Sequence, residues 1–160
     1  MLGLVLSGGA SRGFAHVGVI KALEQAGYSP RVVAGTSAGA FVGALYAAGY
    51  AEGALEDIAT SLAESDVREF VFPDRGFVRG ERLQDFINRH LDDRPIEALP
   101  RRFAAVATDL LTGNAVAFNR GNTGMAVRAS SSIPGVFQPV RIRGRDYVGG
   151  GLVSPVPVRA

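Results

Sequence analysis

Cysteine is absent from all 160 residues, which excludes disulfides and thiolate chemistry and leaves the redox compartment open. Histidine is nearly as scarce, with only His16 and His90. Nothing after His90 can serve as a late histidine, so a serine–acid–histidine triad in the α/β-hydrolase chain order is excluded. Long apolar runs are missing as well. No stretch approaches the roughly 20 residues needed to span a bilayer. The apolar start, Met1 to Leu6, has no positive region before it and runs into a glycine turn. It reads as a core strand rather than a signal peptide, and a cytoplasmic soluble protein is the default expectation. Lysine occurs once, at Lys21, so the 17 basic residues that face 15 acidic ones are nearly all arginine. These are scattered, with small clusters at Arg101-Arg102 and from Arg141 to Arg145, and no basic block is interleaved with aromatics. Nucleic acid is therefore a poor partner. A mild preference for anionic lipid surfaces stays open beside the plainer reading of a solvated arginine surface.

What is present suits one domain, residues 1–160, with a core of its own: 47% hydrophobic and 20% charged residues. Leu2 to Leu6 is a short apolar run, expected of a strand buried on both faces. After the turn Ser7 to Gly13, Phe14, Val17, Ile20 and Leu23 recur at helical spacing up to Gly27. Arg31 to Ala34 is a second strand, and an Ala/Gly-rich helix follows Ser37 and stops at Gly49. Strand, helix, strand, helix within 50 residues implies a parallel sheet with right-handed crossovers. Glu52 to Ala63 and Glu81 to Leu91 carry helical spacing. Ser65 to Gly80, with Phe70, Phe72 and Phe77 beside Pro73 and Gly76, reads as an aromatic loop, either a lid or a set of core plugs. Phe103 to Ala107 is a third buried strand, entering a hairpin through Thr112-Gly113-Asn114. Met125 to Ser131 reads as a short helix, and Val140 to Ile142 with Asp146 to Val148 as a hairpin around Gly144. A proline-restricted tail, Ser154 to Val158, closes the chain.

Two turns carry the chemistry. Gly35-Thr36-Ser37-Ala38-Gly39, between a strand and a helix, has the layout of a nucleophile elbow. A Cβ at Gly35 or Gly39 would crowd the strand or the helix start. The first turn, Gly8-Gly9-Ala10-Ser11-Arg12-Gly13, also joins a strand to a helix, where free N–H groups and the helix dipole favour an anion. A dinucleotide site would want glycine in place of Ala10 and an acid at the end of the second strand, and neither is there. No P-loop lysine is present. The turn therefore makes sense as an oxyanion hole for a carbonyl attacked by Ser37. A serine also needs a base. His16 reads as a structural helix residue and His90 as a favourable charge at a helix end. Asp109 sits at the carboxyl edge of the sheet, but an Asx turn into Leu110 to Gly113 is its plainer reading. Asp146 is an odd number of residues from Gly149 and so points to the other face.

Four segments in order, Ser7 to Gly18 (SGGASRGFAHVG), Gly35 to Ala40 (GTSAGA), Ala107 to Gly113 (ATDLLTG) and Arg128 to Phe137 (RASSSIPGVF), resemble the bacterial patatin-like phospholipases over nearly the whole chain. The resemblance implies a three-layer α/β/α sandwich with a mostly parallel central sheet. It also implies hydrolysis of lipid acyl esters by a Ser–Asp dyad, without histidine, cofactor or metal. Ser37 would be the nucleophile, Gly8 to Gly13 the oxyanion loop, and Ala129 to Phe137 the border of the acyl pocket. Its substrates would be phospholipid, lysophospholipid or other acyl esters, and peripheral membrane contact is compatible with them. One motif departs from the family. Where relatives carry the base aspartate, Tyr147-Val148-Gly149-Gly150-Gly151-Leu152 has Gly149, so weak activity or none is expected. The other readings are a non-catalytic acyl-binding module and, behind it, an acyltransferase, which normally pairs its serine with histidine. Relatives of that family usually continue with further helices, so a fragment or a minimal domain is expected.

Overall fold

The computed structural model describes residues 1–65 and 80–160; the expected aromatic loop, with Phe70, Phe72 and Phe77, lies outside the described residues. Among the described residues six strands form one mixed sheet: β1 Gly3–Leu6, β2 Val32–Gly35, β3 Arg102–Asp109, β4 Ala115–Phe118, β5 Val140–Ile142 and β6 Arg145–Gly149. The order is β1-β2-β3-β6-β5, with β4 also pairing β3. β1, β2 and β3 run parallel, with Leu6 opposite Gly35 and Gly35 opposite Ala105. The two hairpin strands and β6 join antiparallel. Helices α1 Ala15–Gln25, α2 Ala38–Ala47, α3 Glu52–Ser65, α4 Glu81–His90 and α5 Thr123–Ser131 complete the expected α/β fold.

Alternation along the strands decides which face receives the helices. Leu6, Val33 and Phe103 point to α2, where a Cβ on Gly43 would stand 3.1 to 3.5 Å from all three side chains. With Val17, Ile20, Leu45, Leu55, Ile87 and Val127 they make one buried cluster to which each of the described helices α1 to α5 contributes. A fully buried residue of this size contributes about 1.5–3 kcal/mol, so this cluster supplies most of the drive to fold. A smaller cluster, Ala107, Ala129, Val140 and Tyr147, fixes the antiparallel end of the sheet against α5.

The expectation that β1 is buried on both faces is not met. Among the described residues β1 pairs only with β2 and forms the edge of the sheet, and Val5, pointing away from the helices, is 36% exposed. Its apolar run reflects one buried side, Leu4 and Leu6, and one outward side. Among the described residues no helix is long and apolar enough to cross a membrane.

Candidate active site

Because β1 and β2 are parallel neighbours, the turns that follow them emerge at the same end of the sheet. After β2 the chain reverses into α2 within two residues. Ser37 takes φ 54° and ψ −117°, a conformation costly for a residue with a side chain. The reversal is tight enough that a methyl on Gly35 would run into the Gly39 carbonyl, and one on Gly39 into the Leu6 carbonyl. Both elbow glycines are therefore fixed by close approach.

The first turn winds as a 3₁₀ helix from Ala10 to Phe14, with Ala10 at φ 49°. It lies directly on the elbow. A Cβ on Gly8 would stand 3.7 Å from Ser37 Cβ, and one on Gly13 would overlap the Ala38 methyl. The N–H of Arg12 closes the turn on the Gly9 carbonyl at 3.0 Å, whereas those of Gly9, Ala10 and Ser11 have no protein acceptor among the described residues. Unpaired N–H groups beside a serine are suited to receive negative charge on a carbonyl oxygen. Gly8 differs from them, since its N–H already donates to the Pro155 carbonyl at 3.0 Å. His16 braces the loop from behind. Its Nε2 donates to the Ser7 carbonyl at 2.8 Å, which puts the proton on that nitrogen and gives the ring a structural task. His90 is held elsewhere, its Nδ1 on the Phe86 carbonyl at 2.8 Å and its ring stacked on Phe86.

Ser130, one of three consecutive serines, was not singled out by the sequence. It is fully buried on α5, accepts the Ser37 N–H at 2.8 Å and donates to the Val106 carbonyl at 2.5 Å. This hydroxyl ties the elbow to β3, and its only sequence signal was its place in the Arg128 to Phe137 segment. The tail adds a second tie, with Thr36 Oγ1 donating to the Ser154 carbonyl at 2.9 Å.

Ser37 opens on a cavity of about 410 Å³. Phe41 and Val42 of α2, Leu62 of α3, Leu83 and Phe86 of α4, and Ile133, Phe137 and Leu152 line it. Gly149 lines the same cavity, and no Asp, Glu, His, Lys or Arg among the described residues does so. Gly149 has φ −53° and ψ 137°, open to any L residue, and a Cβ there would sit 3.4 Å from the Ser130 and Ser132 carbonyls, an ordinary contact. Gly150 is different, because its Cβ would strike the Val106 carbonyl.

Asp109 and Asp146 are both engaged elsewhere. Asp109 Oδ1 accepts the N–H groups of Leu111 at 2.9 Å and Thr112 at 3.2 Å, the Asx turn expected of it, and Oδ2 pairs with Arg145 Nη1 at 2.6 Å. The Arg145 hydrogen bond, helped by those amides against the cost of burial, holds its carboxyl below the usual aspartate range. Asp146 pairs with Arg141 at 3.4 Å on the exposed hairpin.

A family model described as patatin-like phospholipase matches residues 4–160. An NTE family protein of Mycobacterium bovis is 39% identical over 158 residues, covering 97% of this chain and 44% of its own length. A lysophospholipase of Emericella nidulans is 33% identical over 163 residues, covering 98% of this chain and 11% of its own. The chain thus spans less than half the length of these relatives. Among solved structures, VipD from Legionella pneumophila superposes with a TM-score of 0.73 at 17% identity, over 94% of this chain and 46% of that one, a likeness of fold.

Proposed function

The chain belongs to the patatin-like phospholipase family, and from that membership we propose that it carries a serine acyl-hydrolase site for lipid esters whose turnover is depressed by Gly149. The observation that carries the reading is Ser37, strained on its elbow, lining an apolar cavity and against a loop with N–H groups unpaired among the described residues. An acyl chain would lie between α2, α3 and α4 with its ester carbonyl at Ser37. Attack by Ser37 Oγ forms a tetrahedral oxyanion, which the amides of Gly9, Ala10 and Ser11 stabilise, with Gly8, Arg12 and Gly13 shaping the loop. The alcohol leaves, and water then releases the acid from the acyl-serine. Both halves need a group that accepts a proton. Position 149 is where the family resemblance puts an aspartate, and glycine there forfeits about 10²–10⁴-fold in rate. Thr36, Ala38 and the two elbow glycines act through the backbone. Phospholipid and lysophospholipid are the proposed substrates, reached from a membrane surface.

The Gly149→Asp variant tests this. Its backbone angles suit any L residue, and a Cβ there makes only ordinary contacts. On p-nitrophenyl acyl esters, Gly149→Asp is expected to gain about 10²-fold or more over the parent, and a second change, Ser37→Ala, to abolish the gain. A correctly folded Gly149→Asp protein without Ser37-dependent turnover sinks the hydrolase reading. A second reading, an acyl-binding module without chemistry, is favoured by the lack of any titratable side chain lining the cavity among the described residues. It predicts retention of fatty acid with no product in either variant.

A further inference from the structure

Two exposed leucines stand beyond the end of the sheet where Ser37 lies. β3 runs parallel to β1 and β2, and Gly35 lies opposite Ala105. Asp109, the last residue of β3, is therefore four residues, or about 13 Å, past the level of the elbow. The turn after it carries Leu110, 53% exposed, and Leu111, 87% exposed. Its backbone is pinned. The Gly113 N–H closes the turn on the Asp109 carbonyl at 2.8 Å, and Asp109 Oδ1 takes the N–H groups of Leu111 and Thr112. Beside Ser37, Ile133 and Leu152 line the cavity and are themselves 43% and 62% exposed, so bare apolar surface continues from the outside into the cavity. Solvent-facing charge at the base of the turn is cationic. Arg145 is 57% exposed, whereas the Asp109 carboxylate that it pairs is 3% exposed, and Asp146 is matched by Arg141.

We infer that this end of the sheet docks on the surface of a phospholipid layer, with Leu110 and Leu111 among the acyl chains and Ile133 and Leu152 at the way into the cavity. The inference rests on the reading of the cavity as an acyl site, and adds the surface by which a lipid reaches it. The chemistry of a lipid layer fits each part. Its acyl boundary receives the leucines, as it receives the apolar face of other surface-bound elements. Its phosphates suit an exposed guanidinium. A folded protein could cover the leucines, but a lipid supplies apolar chain both to the outer surface and to the cavity behind it. The pinned turn presents its leucines already in place, so little ordering is left for binding to offset.

The experiment floats the whole chain, as Ser37→Ala so that no lipid is consumed, with vesicles of phosphatidylcholine alone and with phosphatidylglycerol added. Both kinds are expected to carry the protein. Adding the double change Leu110→Ser, Leu111→Ser should weaken binding at least about tenfold, with an unchanged melt. Val19→Ser, which removes a side chain 51% exposed on α1, should bind as before. The chain has no tryptophan, so Leu111→Trp is a single reporter. Its emission should shift to the blue on vesicles, and that of Val19→Trp should not. Binding that survives the loss of both leucines overturns the surface. So does binding to phosphatidylglycerol vesicles alone that salt abolishes, since scattered arginines then explain it. A blue shift of Leu111→Trp that rises with protein concentration and needs no vesicle assigns the leucines to a second copy and also overturns it. Hydrolysis of the soluble ester p-nitrophenyl butyrate by Gly149→Asp separates this inference from the hydrolase reading. Turnover without vesicle binding sinks the docking surface alone. Leucine-dependent vesicle binding with an inactive Gly149→Asp sinks the hydrolase reading and leaves the surface serving an acyl-binding site.

Discussion

At Asp109 the carboxylate oxygens are taken up by two amides of its own turn and by Arg145, and its side chain is 3% exposed. This acid is a structural post of the β3–β4 turn. Its depressed folded pKa makes it a source of pH-dependent stability. An unfolded aspartate titrates near about 3.9, so the folded state gains from this ionised group at every pH above that value. The gain is lost as pH falls through the ordinary range and on to the lower folded pKa. Asp109→Asn is therefore expected to lower the urea midpoint at neutral pH and to narrow its gap from the parent on acidification. Equilibrium unfolding at neutral pH and at a pH well below the ordinary aspartate value checks this, and a gap that stays constant contradicts it. Ser37 is the opposite case. Its N–H is satisfied by Ser130, but its hydroxyl meets no partner among the described residues.

Among the elements, those built from local periodicity were legible from the residues. The helical spacing before Gly27, the Ala/Gly helix after Ser37 and both hairpins stand where apolar period and turn residues put them. The open face of β1 was not, because an apolar run reads alike whether one face or two is covered. Glycine separates the two kinds of element constraint. Gly39 begins α2 against the Leu6 carbonyl, where a methyl has no room; Gly18 lies on the exposed side of α1 with nothing within 4 Å of a Cβ. Gly39→Ala should cost about 1–3 kcal/mol by overpacking, which lowers Tm by several degrees in a domain of this size. Gly18→Ala removes a helix-interior glycine and should add about 0.5–1 kcal/mol. Thermal melts of the two variants check the pair, and a Gly39→Ala protein as stable as the parent would show that the elbow is less tight than its geometry.

At the scale of the whole molecule the elbow and its loop are held by groups far apart in sequence. Ser130 reaches Ser37 across 93 residues and Thr36 reaches Ser154 across 118. Such ties end on backbone atoms, which no residue pattern announces, so the site motifs were readable while their supports were not. The cavity is likewise a tertiary property, its wall shared among α2, α3, α4 and the Ile133 to Phe137 segment. Acyl binding should then be separable from chemistry. Leu83 is half-buried at the third residue of α4, where an acid suits the helix N-terminus and does little harm to the helix. In Leu83→Asp the short carboxylate cannot reach out to water as a longer charged side chain would, and it puts charge beside the acyl chain. A fluorescent fatty acid should bind Ser37→Ala as it binds the parent, and Leu83→Asp at least about tenfold more weakly, a difference of about 1.4 kcal/mol. Equal affinity for all three proteins, with unchanged melts, would place the acyl chain outside this cavity.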